Sequence, residues 1–333
     1  MAVKGIKGNT DRLRLEEHIP LDTPLRVFID VSSFCNFHCS FCPHGNGEAA
    51  KVMPQAIMPV DLAFKCIDDL KSFPQKIKML SFFCFGEPLL HKNISDFIQY
   101  ASNQKVAEQL EITTNASLLT PALSDKLVSA GLTLINISLY GITSSDYQSF
   151  CNVTIDYDLL VQNIKYLHSV AENTKIIVKI CDTALENPAK KELFYRIFEP
   201  ICDKICLELP VPFWYDLDNN IEDKGIDIYG NPVTRKAICP VPFYTMCINA
   251  NGIVTPCCSD WKNRLQMGDS KKQSLVSIWR GQKYKDFCIG LLKGGNAAMY
   301  PCKYCHFHEF VAMDNIDPYR EQLLKKLEND NVI

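Results

Sequence analysis

Between residues 25 and 211 the chain repeats one pattern six times: a short apolar run, then an amphipathic stretch. The runs are 25–31 (LRVFIDV), 79–85 (MLSFFCF), 110–115 (LEITTN), 134–141 (LINISLYG), 175–182 (KIIVKICD) and 204–209 (KICLEL). Rich in Ile, Leu, Val and Phe with little alternation, they read as parallel strands covered on both faces. Helical patterns fill the gaps, over 60–73 after Pro59, 93–103, 121–130 behind a Thr120 cap, 157–170 and 188–198. Parallel strands need crossover connections of one hand, and a run of them closes naturally into a curved sheet. The expected fold is α/β, a partial (β/α)6 TIM-like barrel over 25–211, with its chemistry beyond the C-terminal ends of the strands.

The remaining segments are read by composition. Residues 1–24 form an N-terminal extension, and 212–238 are turn-rich without sustained periodicity, a connector. A small cysteine-rich module follows over 239–311, with a β-hairpin turning at Asn251-Gly252 and one helix over 274–287. Residues 312–333 read as a polar C-terminal helix started by Pro318. A net charge of -3 and a pI near 6.2 give no basic excess, and no run of five like charges occurs, so no nucleic-acid partner is expected. No apolar stretch reaches the roughly 18 residues of a membrane span, and no secretion signal precedes the strands. The expectation is a soluble, cytoplasmic protein without a membrane partner.

Sixteen cysteines are many for a chain of this length, and seven of them stand in metal-ligand spacings, which favours a reducing compartment over disulfides. Cys35, Cys39 and Cys42 follow the first strand as C-x3-C-x2-C. Three thiolates from one short loop suit three corners of a cubane and leave its fourth iron open; zinc would need a fourth ligand, His38 or His44. The second set is Cys239-x12-Gly252-x4-Cys257, then a gap of 44 residues, then Cys302-x2-Cys305. Four such thiolates can enclose zinc or a fully ligated cluster, and spacing does not choose between them.

The first set, with Phe41 between its last two cysteines, resembles the signature of radical S-adenosylmethionine enzymes. The resemblance covers about 25–310. It implies a [4Fe-4S] cluster on Cys35, Cys39 and Cys42 whose open iron takes the methionyl group of S-adenosylmethionine, and a one-electron donor such as flavodoxin or ferredoxin. Reduction would then yield a 5'-deoxyadenosyl radical. It places Phe41 near the adenine, and Gly86, Glu87 and Pro88, which resemble a GGEP motif with Phe85 in place of its first glycine, around the methionyl ammonium. Asn115 and Ser138 match positions that contact the ribose or carboxylate in relatives. The second set resembles the SPASM module or its shortened twitch form, implying one auxiliary [4Fe-4S] cluster on Cys239, Cys257, Cys302 and Cys305. Cys258 stands where radical epimerases of this architecture carry a hydrogen-atom donor, although a packed, inert thiol is as natural a reading.

By this analogy the expected reaction is hydrogen abstraction from a small polar substrate, a sugar, aminocyclitol or nucleotide-linked sugar, with carbinol oxidation and electron transfer to the auxiliary cluster. The alternatives are an epimerase using Cys258, a peptide-modifying (RiPP) maturase, and a non-catalytic metal-binding scaffold. The 24 residues before the first strand are too few for a leader-binding domain, which weighs against the maturase. Four residues qualify by position as general base, His44, His91, Tyr140 and Glu208, and sequence does not separate them.

Overall fold

The computed structural model describes residues 3–4, 13–45, 47–53, 55–217 and 221–329. Ten strands are present among them: β1 (Val3–Lys4), β2 (Arg26–Ile29), β3 (Ile77–Ser81), β4 (Ala107–Thr114), β5 (Leu134–Leu139), β6 (Lys175–Cys181), β7 (Lys204–Glu208), β8 (Thr245–Ile248), β9 (Ile253–Thr255) and β10 (Gly268–Asp269). They form one sheet in the order β1-β7-β6-β5-β4-β3-β2-β8-β9-β10. Strands β2 to β7 lie side by side in chain order, all parallel, as the partial barrel of six βα units requires. Helices cover the outer face; Tyr157–Val170, for example, buries Tyr157, Leu160, Ile164 and Leu167, the three-and-four spacing of one helical face. Each Leu or Ile removed from water in this way contributes about 1.5–3 kcal/mol. Caps act where the sequence places them, with the Thr120 hydroxyl accepting from the Leu123 N–H.

Inside the barrel, one layer is polar. The Glu111 carboxylate on β4 accepts from Arg26 on β2, Ser81 on β3 and Asn136 on β5. Side chains alternate along a strand, so Thr113 and Ser138, two residues further on, share that inward face and lie nearer the C-terminal rim. A buried carboxylate without partners would be costly; here a guanidinium, a hydroxyl and an amide satisfy it.

Several local expectations are corrected. The second run leaves the sheet at Ser81, and Phe82 to Phe85 form a loop at the rim. The helix expected over 274–287 is two helices, Leu275–Trp279 and Gln282–Gly294. They part at Gly281, whose extended backbone starts the second helix and where a Cβ would meet the Ser277 carbonyl oxygen at 2.8 Å. The C-terminal helix runs Arg320–Asn329 after a 3-10 turn at Asp317–Tyr319. Ser144–Cys151, capped by the Thr143 hydroxyl, was not anticipated, because its eight residues carry little apolar periodicity. The hairpin does turn at Gly252, in the left-handed region at φ +86. Its first strand, however, extends the barrel sheet, β8 pairing with β2 in parallel from Arg26↔Thr245 to Ile29↔Ile248. No helix among the described residues is long and apolar enough to cross a membrane.

Candidate active site

A cavity of about 610 Å³ opens at the C-terminal ends of the barrel strands. That lies within the roughly 300–1,000 Å³ of small-molecule sites. Cys35, Cys39 and Cys42 line it, together with Phe41, Gly86, Glu87, Asn115 and Ser138. The structure thus gathers these residues at one cavity from four separate strand ends, those of β2, β3, β4 and β5.

Close backbone contacts hold the cysteine loop against the next loop. The Glu87 N–H donates to the Phe34 carbonyl at 2.8 Å. A Cβ on Gly86 would stand 2.0 Å from the Ser32 carbonyl oxygen and 2.4 Å from that of Phe34, so only glycine fits there. Glu87 is 3% exposed. Its carboxylate accepts from Thr114 Oγ1 at 2.6 Å, the Leu89 N–H at 2.9 Å and the Asn115 N–H at 2.8 Å. Burial nonetheless outweighs these donors and pushes its carboxyl up to about 7. Pro88 opens the short turn Pro88–Leu90 behind it and does not line the cavity. Asn115 is engaged with protein: its amide donates to Asn36 Oδ1 at 3.0 Å, and its Oδ1 accepts from the Ser117 hydroxyl and N–H. Phe41 packs on Tyr140 with ring centroids 5.6 Å apart.

The donor set fits an iron-sulfur cluster. Burial pushes the Cys35 and Cys42 thiols up to about 12, and such thiols ionise only when a cation replaces the proton. His44 Nε2 lies buried beside them with no hydrogen-bond partner and also lines the cavity. A cubane asks for thiols at separate corners, which three cysteines of one loop can supply.

The second set lies beyond the connector. Cys239 and Cys257 are buried in a small apolar cluster with Val241 and Ala312. Cys239, Cys257, Cys302 and Cys305 stand near enough to disfavour one another's ionisation. The Cys239 N–H donates to Asn296 Oδ1 at 2.9 Å, and the Ser259 N–H donates to Cys257 Sγ at 3.2 Å. The connector bridges the two regions. Tyr215 donates its hydroxyl to Asp260 at 2.7 Å, Trp261 donates its indole N–H to the Tyr215 carbonyl at 3.0 Å, and Phe213, Trp214, Tyr229 and Trp261 line the cavity.

The four candidate bases separate. His91 is spent on structure, one ring nitrogen 2.9 Å from the Met58 carbonyl and the other accepting from the Asn93 N–H at 3.1 Å, and it does not line the cavity. Tyr140 does line it, but burial raises its hydroxyl well above the ordinary tyrosine value. Burial lowers His44. Glu208 lines the cavity 3.6 Å from Lys179, which lines it too. Sequence reasoning missed Lys179; its signal is a cation inside an apolar strand, near its C-terminal end. Cys258 is not among the lining residues, whereas Cys84 is, its thiol 3.9 Å from the Cys258 carbonyl.

Known proteins resemble parts of this chain in sequence or share its fold. GTP 3',8-cyclase of Staphylococcus carnosus (strain TM300) is 29% identical over 171 residues, 48% of this chain and 47% of that protein. The chain therefore spans about half the length of the curated relatives it matches. Among solved structures, BtrN in complex with AdoMet and 2-DOIA has 19% identity and a TM-score of 0.56, covering 84% of this chain and 92% of its own. SuiB of Streptococcus suis has 17% identity and a TM-score of 0.62 over 82% and 70%, and anSMEcpe with bound AdoMet 14% and 0.59 over 91% and 96%. At such identities the likeness is one of fold. The model of the radical SAM superfamily matches residues 29–182 and that of the SPASM iron-sulfur cluster-binding domain residues 239–306, so this chain carries a radical SAM domain followed by a C-terminal SPASM domain.

Proposed function

We propose that this enzyme binds S-adenosylmethionine on a [4Fe-4S] cluster held by Cys35, Cys39 and Cys42, and oxidises a carbinol of a small polar substrate. One observation carries the reading: a single cavity is lined by the cysteine loop, by an acid with a cation beside it, and by aromatic rings of the connector and the C-terminal domain. The two clusters, when bound, would supply hydrogen-atom abstraction from a C–H bond and a sink for the electron left behind.

The chain's own residues do the rest. Gly86 lets the Phe85–Glu87 backbone approach the cysteine loop, and the braced Glu87 carboxylate faces the cavity as a partner for an ammonium. Phe41 and Tyr140 offer ring faces to a base, and Ser138 offers a hydroxyl. Glu208 takes the hydroxyl proton of the carbinol, while Lys179 at 3.6 Å orients the carboxylate and balances its charge. Trp214, Tyr229 and Trp261 close the wall against water and present flat apolar faces to the C–H face of a sugar or aminocyclitol ring. Cys239, Cys257, Cys302 and Cys305 would hold the auxiliary cluster. Beyond the three cysteines of the loop, Cys84 and Cys181 line the cavity and Cys258 does not, so this reading places no role on Cys258 as a hydrogen donor.

The test is anaerobic reconstitution, for which about eight irons and eight sulfides per chain are expected. The loaded, reduced enzyme is then given an inosamine, a UDP-hexose and a serine-containing peptide in separate reactions. A polyol product lacking two hydrogens, formed with one 5'-deoxyadenosine each, supports oxidation. An isomeric product carrying deuterium from heavy water, or a modified peptide alone, would replace this reading. Glu208→Gln should cut ketone formation about 100-fold while 5'-deoxyadenosine still forms.

A further inference from the structure

Asp30 is the first residue past β2 and is 1% exposed. Its backbone N–H donates to the Ile248 carbonyl at 2.8 Å, carrying the β2–β8 ladder one residue beyond the strand. Its Oδ1 accepts from the Phe85 N–H at 3.2 Å. The N–H groups of Gly86 and Cys84 from the same loop, and of Ala250 from the hairpin turn, lie near enough to favour the charged carboxylate against its burial. Its Oδ2 is buried and has no hydrogen-bond partner. A buried carboxylate is expensive to keep, so a carboxyl ringed by backbone donors from two distant segments calls for a reason.

The two segments supply one. The loop it grips leads directly into Gly86 and Glu87, and Gly86 is wedged against the Ser32 and Phe34 carbonyls that precede Cys35. The turn it grips, closed by the Gly252 N–H on the Asn249 carbonyl at 2.7 Å, leads through β9 to Cys257. Cys84 on the first segment also meets the second set, its thiol 3.9 Å from the Cys258 carbonyl, but among the side chains described above Asp30 alone stands between the loop and the turn.

We propose that Asp30 is a positioning residue that couples the two cysteine regions: through one carboxyl, the folded state of the C-terminal cysteine set fixes the loop that carries Gly86 and Glu87. Order in the hairpin is then transmitted to the S-adenosylmethionine side, and binding there steadies the hairpin in return, because such coupling is reciprocal.

A double-mutant cycle decides this, since spatial intermediacy alone does not establish coupling. The full chain is prepared with its clusters as wild type, Asp30→Ala, the pair Cys302→Ala with Cys305→Ala, and all three together. Hydrogen exchange is followed at 84–87 and 249–252, and the affinity for S-adenosylmethionine is measured calorimetrically on the unreduced protein. Removing the two cysteines should speed exchange at 84–87 and weaken S-adenosylmethionine binding by about tenfold, and in the Asp30→Ala background should add almost nothing. Additive effects, or exchange at 84–87 that ignores the cysteine pair in the wild-type background, would overturn the proposal. Asp30→Asn, which keeps the shape and one acceptor, runs the same cycle if the alanine variant does not fold. Exchange needs no ligand, so a wild-type protein that fails to bind S-adenosylmethionine would count against the function proposed above while the exchange cycle still decides the coupling.

Discussion

The two cysteine regions are built in opposite ways. Cys35, Cys39 and Cys42 come from eight consecutive residues after β2 and line the cavity, while Cys239, Cys257, Cys302 and Cys305 are gathered from three segments, half of them buried in a small apolar cluster. A single loop can place three thiols and leave a fourth direction free for a ligand; four thiols from separate segments enclose what they hold and staple those segments together. The first arrangement suits chemistry on an outside molecule, and the second suits support and electron storage. The sharpest way to break that contrast is to replace Cys35, Cys39 and Cys42 together by alanine. Iron should drop from about eight to about four per chain and 5'-deoxyadenosine formation should vanish, while the C-terminal domain keeps its iron. Loss of all eight irons would mean that the two regions are not independently loaded.

The next largest effect should come from the contact that shapes the first region alone. In Gly86→Ala the new methyl group would sit 2.0 Å from the Ser32 carbonyl oxygen, and neither loop can retreat, because the Glu87 N–H binds Phe34 and the Phe85 N–H binds Asp30. Such overpacking costs about 1–3 kcal/mol or more. S-adenosylmethionine cleavage should therefore fall about 100-fold, with iron on the C-terminal set unchanged, as seen by electron paramagnetic resonance. Equal loss at both clusters would show that the glycine serves the whole fold.

A titration sharpens the contrast further, since Glu87 belongs to the open region. Burial holds its carboxyl up at about 7 against an ordinary 4.5. For folding, the sign follows from a raised carboxyl: its contribution to stability is complete below about 4.5 and is lost as pH rises through about 7. For an ammonium-bearing ligand the sign reverses, because the carboxylate is the partner. Affinity for S-adenosylmethionine should tighten about tenfold per pH unit on the acid side of 7 and level off above it. Glu87→Gln should flatten that profile. A profile unchanged in the variant would remove Glu87 from the binding site.

The same contrast explains what could be read from the chain. The first cysteine loop is contiguous, so its spacing survives in one dimension, and the six apolar runs gave the barrel because strands β2 to β7 pair in chain order. The second set was legible only as spacing, and its attachment to the barrel was not. β8 is a short run, and nothing in four residues announces a parallel partner more than 200 positions away. Asp30 and Lys179 were missed for a related reason. Each is a polar residue in or just after an apolar strand, and only the fold reveals that one meets the loop after β3 and the other reaches Glu208. Among the bases, His91 looked as good as Glu208 until its two ring nitrogens were seen to be occupied.

The smallest expected effect falls on the residue where sequence placed the largest question. Cys258 adjoins Cys257 of the closed region, and the side chains of the two interact. The Cys258 carbonyl lies 3.9 Å from the thiol of Cys84, which lines the cavity as Cys181 also does. A thiol this close to Cys257 affects the surroundings of that sulfur, so its removal should shift the potential of a cluster held there slightly. It should change the rates of S-adenosylmethionine cleavage and ketone formation by less than about twofold. Cys258→Ala, assayed for both products in heavy water, checks this directly. If the variant still abstracts hydrogen but accumulates an unquenched substrate radical, and if wild type places solvent deuterium in its product, then the closed region reaches the substrate after all. In that case the division of labour between the two regions drawn here is wrong.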